Sequence, residues 1–166
     1  MRNQVTVIFL LSTLLFSCWD GERSTGELTR NELAAIRHLG ILDSGEVIIQ
    51  LHCNVPGSEG VLQAGNFFTS RRVGRYWIDD KDTLKNKIMS AWLVQVDTLI
   101  PYFNNHWPSS SYIEIRTGPH TWFNLYVNGE GDDAITTAFY QGLLEQWNRA
   151  RQRARKRRPR YEEALH

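Results

Sequence analysis

The chain predicts an α+β fold: a short N-terminal helix, antiparallel strands forming a curved sheet or open barrel, and a C-terminal helix capping it. Three observations predict it. A helix-start signature stands at residues 28–33, an alternating hairpin pattern covers residues 112–127, and an apolar stripe at helical spacing follows Asp132-Asp133.

The first helix is marked twice. Thr29 and Glu32 have the spacing of a capping box, in which each side chain satisfies an orphaned backbone N–H, and Leu28 with Leu33 occupies the staple positions. Leu33, Ile36 and Leu39 give residues 30–39 one apolar edge, and Gly40 supplies the left-handed residue that ends such a helix.

After the turn Asp43-Ser44-Gly45, β-branched and aromatic runs replace helical spacing. Strands are expected at residues 46–53, 60–69, 73–79, 93–97, 112–117 and 121–127, with Pro56-Gly57, Asn104-Asn105, Pro108 and Gly118-Pro119 as breakers. Ile113 and Ile115 alternate with Tyr112, Glu114 and Arg116, and Phe123, Leu125 and Val127 with Trp122, Asn124 and Tyr126. Half-buried antiparallel strands require this alternation, so the two runs form a hairpin around Gly118-Pro119. Residues 79–90 read as an exposed excursion that re-enters the core near residues 88–92.

The second helix opens on Asp132 and Asp133, where carboxylates favour the positive end of the helix dipole, and its later arginines favour the negative end. Ile135, Ala138, Phe139, Leu143 and Trp147 form one apolar stripe able to lie on a sheet. Gly142 within that stripe costs about 1 kcal/mol of helix propensity against Ala, which close approach of the helix to the strands would justify.

The extreme N-terminus reads differently. A cationic start at Arg2 leads into an apolar run over residues 5–16, too short for the roughly 20 residues that span a hydrocarbon core. It is an export leader expected to be removed. Leu15-Phe16-Ser17-Cys18 resembles the bacterial lipobox, which implies cleavage after residue 17 and acylation of Cys18; Phe16 is bulkier than that motif's usual residue. The alternative is ordinary secretion with Cys18 incidental. An acylated cysteine would anchor the chain to a membrane, each buried methylene adding about 0.8 kcal/mol. The expected organisation is residues 1–17 as signal peptide, 18–28 as lipid-anchored tether, 29–148 as the domain and 149–166 as a basic extension.

Removing 17 of 166 residues leaves enough chain for one domain with a single core. With 42% hydrophobic and 11% aromatic residues, that body packs rather than staying disordered. Two cysteines build no disulfide framework, and with Cys18 acylated Cys53 stands alone. The net charge of +1 conceals an asymmetry: residues 19–148 carry 10 cationic and 16 acidic side chains, whereas residues 149–166 carry 8 and 2.

Residues Gly65-Asn66-Phe67-Phe68-Thr69-Ser70-Arg71-Arg72-Val73-Gly74-Arg75-Tyr76-Trp77 carry a resemblance. An apolar-Thr pair (Phe68-Thr69), an Arg-Val step (Arg72-Val73) and an aromatic pair (Tyr76-Trp77), preceded by Leu39-Gly40-Ile41-Leu42-Asp43-Ser44-Gly45-Glu46, look like a bacterial pleckstrin-homology-like domain over about residues 30–148. The resemblance implies a sheet curved into an open barrel, plugged at one end by the residue 135–147 helix, and a scaffold for binding rather than catalysis. Eukaryotic relatives of the fold often bind phosphoinositides through a basic pocket. Arg71, Arg72 and Arg75 invite that analogy, but fold alone does not fix function, and Arg72 is expected to pack or pair within its turn.

No residue is assigned a catalytic role, and no cofactor or metal is expected. His38, His52, His106, His120 and His166 lack His-Glu-x-x-His spacing or a cysteine pair. His52 and Cys53 are neighbours on a strand, so they point to opposite faces. Asp79, Asp80 and Asp82 lack the glycine and terminal glutamate of a calcium loop, and Asn128-Gly129-Glu130-Gly131-Asp132 lacks a phosphate loop's lysine. Trp107, beside Pro108, is the candidate exposed aromatic.

The strong binding signal is the run from residue 149 to 160, with eight cations in twelve positions, including Arg149, Arg151, Arg153, Arg155, Lys156, Arg157 and Arg158. At 100° per residue these cations are expected to surround a helix without leaving an apolar face, so attraction would be electrostatic. Anionic lipid or an acidic protein fits an exported chain, whereas nucleic acid does not. The expected function is therefore a non-enzymatic binding or adaptor module, lipid-anchored at the bacterial cell envelope. The alternatives are an exported enzyme with a loop-built site, and a structural lipoprotein whose basic tail does the binding.

Overall fold

The computed structural model describes residues 22–23, 28–53, 60–103, 111–127 and 133–157. In chain order the elements are β1 (Glu22–Arg23), α1 (Arg30–His38), β2 (Ile48–Cys53), the single turn α2 (Gly60–Gln63), β3 (Ala64–Thr69), β4 (Arg72–Trp77), β5 (Lys87–Trp92), β6 (Thr98–Tyr102), β7 (Tyr112–Gly118), β8 (Thr121–Leu125) and α3 (Asp133–Arg157). The strands form two antiparallel sheets, ordered β1-β2-β3-β4-β5 and β6-β7-β8, rather than one closed barrel. With the short N-terminal helix and the long C-terminal one, this is the α+β architecture expected.

α1 begins as its sequence dictates. Thr29 Oγ1 accepts from the Glu32 amide at 3.2 Å, and Glu32 Oε2 accepts from the Thr29 amide at 2.7 Å. Leu28 is buried and Leu33 packs beside it. Gly40 follows the helix at φ +72°, the left-handed conformation that disfavours a Cβ.

The larger sheet separates two apolar clusters, where the sequence suggested a single core. Successive β3 residues point to opposite faces, so Phe67 joins Ile36, Ile41, Leu51, Val61 and Tyr76 under α1 and α2. Phe68 joins Leu93, Ile113, Ile115, Leu125, Phe139 and Leu143 between the two sheets and α3. This explains why every residue of β3 is buried. Gly74 makes close packing possible on β4: a Cβ there would lie 2.7 Å from Met89 O and 2.9 Å from Phe67 Cζ.

α3 lies on the sheets as expected. Phe139 and Leu143 are fully buried, the Phe139 ring meets Phe68 edge-on with centroids 5.0 Å apart, and Trp147 Nε1 donates to Val96 O at 2.9 Å. Gly142 is the close approach: a Cβ would meet Phe68 Cζ at 3.0 Å. Ala138, expected in the stripe, faces solvent, and Thr136 takes the buried position. One helical turn separates Phe139 from Ile135 on the inner side, and Thr136 adjoins that line.

Four strand expectations are corrected. Residues 60–63 are a helical turn, so that strand begins at Ala64. Residues 93–95 form a 3₁₀ turn instead of a strand. β5 and β6 flank that turn, in stretches read as an excursion or left unassigned. The β7–β8 hairpin matches its expectation, with Ile113 opposite Leu125 and Ile115 opposite Phe123. Within the expected tether, Glu22–Arg23 pairs with β2.

Candidate functional site: the β3–β4 turn and the end of α3

The residues that carried the family resemblance meet at the β3–β4 turn. Thr69 Oγ1 donates to Glu46 Oε1 at 2.8 Å and accepts from the amides of Arg71 and Arg72 at 3.0 and 2.9 Å. The other Glu46 oxygen accepts from Arg72 Nε at 2.7 Å and from the Asp43 amide at 3.1 Å. Arg72 Nη2 donates to Ile41 O at 2.8 Å and lies 3.6 Å from Asp43 Oδ1. Glu46, Thr69 and Arg72 are all buried. They tie the loop after α1 to the turn, and the Arg72 guanidinium is committed to that bond, as expected for its place in the sequence.

A buried charge pair of this kind needs hydrogen-bonding partners, because removing charges from water is costly. Ile41 O, the Asp43 amide and Thr69 Oγ1 supply several here. Arg75, half-buried, also bonds within the fold: Nη1 donates to Asn124 O at 2.9 Å, while Asn66, its cross-strand neighbour, donates to Tyr126 O at 2.6 Å. Together they satisfy two backbone carbonyls at the end of β8, an edge strand. Of the three arginines that invited the phosphoinositide analogy, Arg71 alone is exposed.

The end of α3 reaches this same turn. Arg153 Nη2 donates to Ser70 O at 2.7 Å, and the Arg71 guanidinium lies 5.0 Å from the Trp92 ring centre. Arg151 lies 4.8 Å from the ring of Trp147, Arg149 pairs with Glu145, and Arg155 and Lys156 are exposed. The expectation of cations encircling the helix is corrected. Ala150 is 4% exposed and Ala154 half-buried, so the apolar stripe of Phe139, Leu143 and Trp147 continues in small residues beneath the cations. Among the described side chains, Arg149, Arg151, Arg153, Arg155 and Lys156 take the exposed positions.

Arg157 is the last residue of α3, and Arg158 lies outside the described residues, as do the leader, Cys18, Trp107 and the loop 128–132. The exposed indoles in the described part are Trp77 and Trp122. Sequence reading found the cations of α3 but could not join them to Arg71, because 83 positions separate Arg153 from Ser70.

The acidic candidates Asp79 and Asp82 close turns: Asp79 Oδ1 accepts from the amides of Lys81 and Asp82, and Asp82 Oδ1 from that of Leu84. His52 is buried, its Nδ1 has no hydrogen-bond partner among the described residues, and burial pushes its pKa down to about 4. Cys53 packs on the opposite face, with the α1 cluster. Among the described residues no three His, Cys, Asp or Glu side chains gather as a metal-ligand set, and no helix is long and apolar enough to cross a membrane. One shallow depression is lined by Arg37, Leu42, Ser44 and Gly45.

No family model matches the chain, and no curated protein is a significant match. Among solved structures, the chain is similar to a DUF1696 family protein with a pleckstrin-homology domain from Shewanella loihica PV-4. The two are 12% identical, with a TM-score of 0.48 over 80% of this chain and 98% of that one.

Proposed function

We propose that this protein is a pleckstrin-homology-like binding or adaptor module, exported by its leader and held at the bacterial cell envelope through an acylated Cys18. Its basic C-terminal extension adds attraction to an anionic partner. The observation that carries this reading is the use made of the motif's polar side chains. Glu46, Thr69 and Arg72 bond one another inside the fold, while Arg71 and the α3 cations Arg149, Arg151, Arg153, Arg155 and Lys156 are exposed. A scaffold that spends its buried polar groups on its own turns, and presents charge at its surface, is suited to recognition by contact.

Intact-mass measurement of the protein recovered from the envelope fraction tests the anchor. The expected species begins at Cys18 and carries added fatty-acyl mass, and Cys18→Ser removes that mass. A recovered chain that retains Met1 contradicts the localisation.

A further inference from the structure

We infer that the exposed cations of α3 and the Ser70-Arg71 turn form one fixed cationic face that seats the protein on a bilayer rich in anionic headgroups. This rests on the binding-module reading and names its partner. The face is fixed at both levels of structure. Ala150 and Ala154 hold the helix end on the body, and the Arg153–Ser70 bond joins it to the turn. Arg71 and Arg151 lie over the rings of Trp92 and Trp147, a cation–π placement that limits where each guanidinium can go. Arg149, Arg155 and Lys156 complete the outward arc, with Glu145 as the acidic side chain paired within it.

The shape of this face favours a lipid surface over an acidic protein. A protein partner is held mainly by buried aromatic or apolar anchors in pockets, with charges at the rim. Here the indoles lie beneath guanidiniums, and the outward positions between the cations hold Gln152 and Asn148. A face whose exposed charges are mostly cationic, with Glu145 as the acidic exception, suits a fluid layer of phosphates, which can rearrange to meet it. Each Lys or Arg near such a surface contributes about a fivefold increase in binding.

The test uses the leader-free chain of residues 18–166 carrying Cys18→Ser, which cannot be acylated, and measures cosedimentation with vesicles of phosphatidylcholine alone or with 30% phosphatidylglycerol. The expected result is salt-sensitive binding to the anionic vesicles only, weakened about fivefold by Arg71→Gln, weakened similarly by Arg155→Gln, and restored by Arg71→Lys. Thermal unfolding of each variant confirms that the fold is intact. Binding that Arg71→Gln leaves unchanged would overturn the shared face in favour of a tail acting alone. Absence of vesicle binding, with retention on immobilised polyglutamate, would overturn the lipid assignment in favour of an acidic protein. Neither failure touches the anchor, which intact mass tests separately.

Discussion

Arg72 and Glu46, 26 positions apart, meet in the protein interior with Arg72 Nε 2.7 Å from Glu46 Oε2 and side chains only 11% and 1% exposed. Breaking such a pair from one side strands the other charge, at a cost of roughly 3–5 kcal/mol. Glu46→Leu and Arg72→Met are each expected to destabilise by about that much. The double variant is expected to cost clearly less than their sum, since no lone charge remains. A double-mutant cycle by urea denaturation measures this coupling, and simple additivity would refute it.

Gly74 and Gly142 make contrasting predictions. At Gly74 the atom in the way is Met89 O, backbone of the neighbouring strand, so Gly74→Ala forces two strands apart and is expected to cost about 2 kcal/mol. At Gly142 the nearest atom is the end of the flexible Gln50 side chain, followed by Phe68 Cζ. Ala at that position gains about 1 kcal/mol of helix propensity that offsets the crowding. Gly142→Ala is expected to be near neutral, and Gly142→Leu to destabilise by more than Gly74→Ala. Chemical denaturation of the three variants checks the order.

His52 gives the fold a pH dependence. Its pKa falls from 6.5 to about 4 on folding because burial disfavours the charged ring. The unfolded chain therefore binds more protons between those values, and stability rises with pH across that window. The contribution is complete above about pH 6.5 and is lost as pH falls toward 4, amounting to at most about 3 kcal/mol. His52→Gln should flatten the stability profile between pH 4 and 6.5. An unchanged slope in that variant would assign the dependence to other groups.

Trp147 joins α3 to the 3₁₀ turn after β5 through its bond to Val96 O. Trp147→Phe keeps most of the apolar contact but leaves that carbonyl without its indole donor, so a loss of about 1 kcal/mol is expected. Equilibrium unfolding measures it, and an unchanged midpoint would show that water satisfies the carbonyl equally well.

Both helices and the β7–β8 hairpin were legible because their signals are local. Thr29 and Glu32 cap within one turn, and Tyr112–Gly118 alternates by face. β5 was obscure because it is a sheet edge with four consecutive exposed residues, so alternation never shows. β6 contains Pro101, which reads as a breaker yet is tolerated on an edge strand, where a missing N–H costs no ladder bond. The short α2 turn and the 3₁₀ turn at Leu93–Gln95 carry strand-like apolar residues. Burial chose their side chains while chain reversal chose their backbone.

The site was half legible. Its cations stand together in the sequence, but which side of the helix they leave free depends on Ala150 and Ala154, whose small size gives little hydrophobic signal. Its connection to Arg71 depends on the Arg153–Ser70 bond, a long-range contact with no local pattern.

The most direct test of a basic segment built into the fold is amide hydrogen exchange along α3, resolved by residue. Amides of residues 149–153 should be protected along with those of Phe139 and Leu143, because the helix there rests on the body through Ala150. Exchange at free-chain rates from residue 149 onward, with Phe139 and Leu143 still protected, would contradict the account and leave the cations on a loose tail.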